Sequence, residues 1–402
     1  MNAFDSTQVL LPKNADLEKW AVIACDQFTS DRQYWDQVAE NAREHVSTFN
    51  LVFPEIDLEN APEERIKKIN GTMREYIQND VFQTYPDSFV YVERTLLNGS
   101  VRPGIVGAID LEQYHYDPKF NPEIGATEQT ILERVPPRIA IRRNAELEFP
   151  HVILFLNDVQ DKIFNYIRSV KNSLPKLYDF MLMENGGHIS GWLIDGTAAE
   201  QLRKLIYQYT EACEKVSFLV ADGNHSLATA KCWYEELKTA NPDKNLSNHP
   251  ARYAMVELEN IQDPSIQFEA IHRVIFDTDA DKLLADIQTI CSDEGCVIPW
   301  FAGNRKGEIR ISVPHGELPV AVMQRFLDNW LAENAGRIDY IHDADATEGF
   351  GREAGAISFL LPSFDKGELF AFGASGHILP RKTFSLGHSR EKRYYLEGRL
   401  IR

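Results

Sequence analysis

The chain reads as an α+β protein, with mixed, partly antiparallel sheets flanked by helices. Three observations predict this. Asn98-Gly99 separates two β-rich runs, 89–97 and 101–109, and an Asn-Gly pair readily takes the positive φ angles of a tight hairpin. Gly186-Gly187 sits in the same way between 177–183 and 189–194. Helical periodicities interrupt the strand runs from one end of the chain to the other, a mixture that argues against a purely parallel doubly wound sheet.

Residues 20–24 read as a strand, and 31–45 as a helix with Thr29 or Ser30 as its cap and Tyr34 and Trp35 inside it. A second helix is expected over 63–78. After the first hairpin, strands are expected at 138–142 and 152–156, a helix at 159–170, the second hairpin, and a helix at 198–213. Residues 216–221 form an apolar strand pattern, and Leu227, Ala230, Tyr234 and Leu237 recur at helical spacing, which leaves 222–226 as the turn between them. Strands follow at 252–258 and 270–276. The stretch from 277 alternates helix (280–290), strand (308–313), helix (320–333) and strand (337–341), and another strand covers 356–361. The expected organisation is a main α+β domain over 1–276, a small α/β subdomain over 277–345, and a C-terminal segment, 346–402, that packs back on the main domain.

The 402 residues are 44% hydrophobic and 25% charged, an ordinary globular composition that can bury more than one core. Sixty acidic residues against 42 basic ones leave a net charge of −18, which repels phosphate backbones and anionic membranes, so neither nucleic acid nor a membrane is an expected partner. The five cysteines are odd in number and lack a C-x-x-C pair, so they predict neither a disulfide framework nor a thiolate zinc site, and they suit a reducing compartment. Residues 1–13 lack the basic and apolar regions of a secretory signal, and no apolar run is long enough for a membrane span. The expected location is the cytoplasm.

Chemistry concentrates at Asp222-Gly-Asn-His-Ser226. A strand end, a glycine and a helix N-terminus suit an anion, because unpaired N–H groups point outward and the helix dipole favours negative charge. Gly223, Asn224, Ser226 and Thr229 are therefore candidates to hold phosphate, with Asp222 and His225 as candidates for proton transfer; the alternative is a capped turn. Asp26 stands near a strand end and is, with Asp222, a candidate metal ligand. Glu128 and Thr130 add a carboxylate and a hydroxyl before Pro136-Pro137. His272-Arg273 joins an imidazole to a permanent cation, and Arg381 with Lys382 begins a basic tail that Arg390, Lys392 and Arg393 continue. His342-Asp343-Ala-Asp345 looks like an oxygen-rich loop but is matched equally well by a solvated acidic turn. P-loop, Rossmann, zincin and α/β-hydrolase signatures do not occur.

The motifs A-D-G-N-H-S-L-A-T-A at 221–230, A-T-E-Q-T at 126–130, I-H-R-V at 271–274 and L-P-R-K-T-F-S at 379–385, in this order, resemble the family called domain of unknown function 1015. More distantly, the strand, D-G-x-H-x-x-x-A and helix are similar to the phosphate-binding turn of the ParB/sulfiredoxin-like superfamily, which includes free serine kinases. That resemblance implies a cytoplasmic phosphotransferase using ATP or ADP with Mg²⁺ on a small hydroxylated metabolite, with free serine as the acceptor to test. It assigns Asp222 or Glu128 to the acceptor hydroxyl, and His225, His272 and Arg273 to the transferring group. The related proteins carry a phosphate-gripping Arg where this chain has Ser226, so Arg273, Arg381 or Lys382 is expected to supply the missing cation. Two alternatives remain at this point: a non-catalytic nucleotide- or metabolite-binding regulator, and a metal-dependent hydrolase built on Asp222, His225, His272 and Asp26.

Overall fold

The computed structural model describes residues 2–23, 32–54, 63–128, 130, 135–315, 317–376, 378–380, 382–387 and 389–402. The chain is α+β, as its patterning predicts. It divides into two compact units: 1–266 with 370–378 and 388–402, and 267–369 with 379–387. The stretch 277–345 lies within the second unit, which also takes in 346–369.

The first unit is built on an eleven-stranded mixed sheet. Its strands are β1 (Phe4–Asp5), β2 (Thr7–Pro12), β3 (Phe82–Thr95), β4 (Val101–Asp110), β5 (Tyr114–His115), β6 (Ile124–Ala126), β7 (Ile153–Leu156), β8 (Lys176–Met181), β9 (His188–Ile194), β10 (Phe218–Asp222) and β11 (Tyr253–Asn260). The order across the sheet is β8-β9-β3-β4-β11-β7-β10-β6-β5, with β1 paired to β4 and β2 to β3. Both expected hairpins form: β3 and β4 are antiparallel across Asn98-Gly99, where Gly99 has φ +81°, and β8 and β9 are antiparallel across Gly186-Gly187.

The helices of this unit are α1 (Arg32–Asn41), α2 (Glu63–Gln78), α3 (Val135–Arg142), α4 (Lys162–Val170), α5 (Gly196–Ala212) and α6 (Asn224–Ala240). Each lays an apolar stripe on the core; α2, for example, buries Ile69, Met73 and Tyr76, three to four residues apart. Two local expectations are corrected. Residues 138–142, whose R-I-A-I-R alternates like a strand, form helix α3 instead. Pro136 and Pro137 occupy its first turn, where a missing N–H costs nothing, and Val135 and Ile139 lie one turn apart on its buried side, with α6 packed against it. Trp20 ends a short helix, Leu17–Trp20, and among the described residues of that region Val22–Ile23 pair as strand.

A charged network runs through the interior of the first unit. Arg393 is only 3% exposed and bridges Glu257 (2.6 Å) and Glu397 (2.8 Å), and the Tyr178 hydroxyl donates to Glu397. Arg94 donates to the carbonyls of Gly186, Arg390, Glu391 and Lys392, and Arg102 donates to Glu391 O at 2.5 Å. Strand arginines thereby anchor the 390–392 segment, which has no ladder of its own to satisfy its carbonyls.

The second unit has a five-stranded antiparallel sheet: β12 (His272–Phe276), β13 (Cys291–Ala302), β14 (Arg305–Ile311), β15 (Arg337–Ile341) and β16 (Ile357–Phe359), in the order β14-β13-β16-β12-β15. Strand β13 was not foreseen, since its interior Gly295 and Pro299 read as breakers. Helices α7 (Ala280–Asp286), α8 (Pro319–Glu333) and α9 (Ala344–Gly351) complete it, and α8 places Met323, Leu327 and Trp330 in the core. Asp343 in the acidic loop caps α9 by accepting from Ala346 N at 2.6 Å.

Candidate functional site

The D-G-N-H-S turn is shorter than its sequence suggests. Strand β10 runs through Asp222 and α6 begins at Asn224, so Gly223 alone makes the connection and Asn224, His225 and Ser226 form the first helical turn. Gly223 sits at φ +83°, and a Cβ there would lie 3.0 Å from Val152 Cγ2 and 3.1 Å from Val152 Cα. Both the backbone angle and the space demand glycine. Among the described residues no side chain caps α6. A helix start without a side-chain cap presents N–H groups and the positive end of the dipole, which is the physical requirement for an anion site.

Asp222 lies beside this helix start. Its Oδ1 accepts from Gly223 N at 2.9 Å, and its Oδ2 meets Lys392 Nζ at 3.1 Å. The Lys392 side chain is 8% exposed, so its ammonium is delivered through the interior by the segment that Arg94 and Arg102 hold. The patterning placed Lys392 in a basic tail patch but did not single it out, because the pairing joins residues far apart in the chain.

Asn224 is buried and donates from Nδ2 to Thr127 Oγ1 at 3.4 Å, while the Thr127 hydroxyl donates to Val220 O at 2.6 Å. Asn224 Oδ1 is buried without a partner among the described residues, as is Thr130 Oγ1. Unsatisfied buried acceptors and hydroxyls are costly, by about 1–3 kcal/mol each, and call for a ligand or water. The orientation adds to the role expected of Asn224: with one Nδ2 hydrogen directed to Thr127, its Oδ1 presents an acceptor suited to a hydroxyl. Thr229 is also buried, and its hydroxyl donates to His225 O at 2.7 Å inside α6. His225, Ser226 and Glu128 are half-buried.

Ser226 and Thr229 line a cavity of about 180 Å³ in the first unit. Arg138, Arg142 and His151 line it too, as does Val152, the residue that touches Gly223. The arginines that share this cavity with Ser226 therefore come from α3, the segment whose alternation reads as a strand. Helix-start prolines before an i, i+4 apolar pair were the available signal.

His272 and Arg273 belong to the second unit. Arg273 is fully buried and directs its donors to Gln324 Oε1 (2.7 Å), Ile271 O (2.7 Å) and Lys382 O (3.0 Å), with its guanidinium 4.7 Å from the Tyr340 ring centroid. His272 Nδ1 accepts from Leu361 N at 3.1 Å. Burial and the neighbouring Arg273 push the imidazole below its ordinary range, against an opposing pull from Asp343. Each of these groups already serves the packing of its own unit. Asp26 and Arg381 lie outside the described residues, and among those residues no three His, Cys, Asp or Glu side chains converge as a metal would require.

Solved structures with some likeness to this chain include a free serine kinase in complex with AMP, at 14% identity over 61% of this chain and 87% of that one, TM-score 0.31. A conserved hypothetical protein from Pyrococcus furiosus is 14% identical over 62% and 91%, with a TM-score of 0.29. SbnI with a C-terminal truncation, from Staphylococcus aureus, is 11% identical over 70% and 83%, with a TM-score of 0.32. Likeness of this size carries no argument about chemistry. No curated protein matches. Among the described residues no helix is long and apolar enough to cross a membrane. A family model described as protein of unknown function (DUF1015) matches residues 8–335, and the chain belongs to that family.

Proposed function

We propose that this protein is a nucleotide-dependent phosphotransferase acting on a small hydroxylated metabolite. One observation supports the reading above others: the start of α6, where no described side chain makes a cap, stands beside a buried acceptor with no partner among the described residues, Asn224 Oδ1. A phosphoryl donor needs the first and a hydroxyl acceptor needs the second, and phosphoryl transfer asks mainly for positioning and charge neutralisation. The N–H groups of the first turn take the phosphate, and Asn224 Oδ1 takes the hydroxyl's hydrogen bond. The hydroxyl oxygen attacks the terminal phosphorus, the bond to the leaving phosphate breaks, and the proton passes to Asp222. Lys392 offsets charge beside them. Asp222 is also the described carboxylate that would meet a nucleotide's Mg²⁺, whose chemistry there is charge neutralisation on the phosphates.

Purified protein incubated with ATP or ADP, Mg²⁺ and serine or small hydroxy acids is followed by ³¹P NMR. The reading expects a new phosphomonoester signal that Asp222→Asn abolishes. Absence of any nucleotide-dependent product would remove it. A second reading, nucleotide binding without turnover, draws on the fact that both Asp222 oxygens already accept from Lys392 and Gly223. Stabilisation by nucleotide with no phosphomonoester would select that one.

A further inference from the structure

We infer that the cavity between α3 and the first turns of α6 binds a small hydroxy acid, with its carboxylate on the Arg138–Arg142 side and its hydroxyl toward Thr229. The inference takes from the proposed function only the class of ligand, while the binding itself rests on the cavity, and the hydroxyl that meets Thr229 is distinct from the one that Asn224 Oδ1 would hold for transfer. Its size comes first. About 180 Å³ admits a compact metabolite.

Its charge comes next. Among the described lining residues the cations are Arg138 and Arg142, His151 adds an imidazole, and the sole acid is Glu148. Glu148 is already engaged: it pairs with Arg142 at 2.5 Å and Arg399 at 3.1 Å, and accepts from Met255 N at 2.9 Å. Burial works to raise this carboxyl, but the two guanidiniums hold it below the usual glutamate range. Arg142 Nε is buried with no partner among the described residues. An anionic ligand finds fork-shaped donors here. Among the described lining residues an ammonium would find no uncommitted acid and two nearby cations, so a hydroxy acid is favoured over an amino acid.

The hydroxyl has its own counterpart. Thr229 donates its proton to His225 O, so any lone pair it turns toward the cavity can only accept. An acceptor in that place recognises a ligand O–H. The rest of the lining is mostly apolar, which suits a short carbon backbone and offers nothing to a bare inorganic anion.

The test is isothermal titration of the full chain without nucleotide, using D-glycerate, its uncharged amide, L-serine and inorganic phosphate. D-glycerate binds, and the amide binds about tenfold or more weaker, the loss of a charge-assisted pair. Arg138→Met lowers D-glycerate affinity by a similar factor, whereas Arg138→Lys restores part of it. The acid-to-amide comparison uses the unaltered protein and so survives any misfolding of the variants. Equal binding of amide and acid, phosphate binding as tightly as D-glycerate, or serine binding more tightly than D-glycerate would each overturn the inference. Failure here is separable from failure of the phosphotransferase reading: acid binding with no nucleotide turnover sinks only the latter, and nucleotide turnover on an acceptor that lacks a carboxylate sinks only the former.

Discussion

Replacing Lys392 by methionine keeps the length of the stem and deletes the ammonium that faces Asp222. At 3.1 Å, Coulomb's law gives about 5 kcal/mol at an effective dielectric near 20 and about 1.3 kcal/mol in bulk water. The true loss falls well short of the upper figure. Asp222 is a quarter exposed, so water screens its carboxylate, and removing a buried ammonium also removes the penalty of having dehydrated it. A net destabilisation of about 1–3 kcal/mol is expected, the range for a hydrogen bond between charged groups. The assay is urea denaturation of the wild type, Lys392→Met, Asp222→Asn and the double variant, read by tryptophan fluorescence. Trp20 and Trp233 are buried in the same unit and report on its unfolding. The cycle should show a coupling of about 1 kcal/mol or more, because each single change removes the same contact. Single losses below about 0.5 kcal/mol that simply add would show that the ion pair is not formed, and with it the account of what cation stands beside the turn would fall.

Gly223→Ala forces a left-handed backbone angle on a residue with a Cβ and drives that atom against Val152, so a loss of about 1–3 kcal/mol by chemical denaturation is expected. Arg94→Met strands the carbonyls of Gly186, Arg390, Glu391 and Lys392; a loss of about 3 kcal/mol or more should accompany faster hydrogen exchange confined at first to the 390–393 amides. Glu259 lies fully buried on β11 beside Arg102, and burial, with Glu257 adding to it and Arg102 and Arg94 opposing it, moves its carboxyl from 4.5 up to about 7. A raised carboxyl binds more protons folded than unfolded, so its stabilising share is intact below pH 4.5 and is lost as pH rises through about 7. Stability of the wild type relative to Glu259→Gln should therefore fall across that window, and a flat difference would refute the assignment.

Local chemistry made several elements legible in the residues alone. Asn98-Gly99 and Gly186-Gly187 mark hairpins because few other pairs reach the backbone angles that a tight reversal needs, and both hairpins are present. The 218–240 strand, glycine and helix is legible for a related reason: apolar period changes from buried run to helical stripe on either side of one glycine. Residues 138–142 went astray because five residues of alternation fit both periods, and only the packing of Val135 and Ile139 against α6 selects the helix.

By itself the sequence determined the class of the fold, the hairpins, and the place where a strand end meets a helix start across a glycine, since each follows from angles and periods set within a few residues. What stands around that helix start was decided by tertiary structure. Lys392 reaches Asp222 only because Arg94 and Arg102 anchor a distant segment, Asn224 offers an acceptor only because Thr127 holds its amide, and Arg138 and Arg142 line one cavity with Ser226 that two packed helices help to wall. A charge's partner is a matter of distance in space, and spacing along the chain carries no record of it.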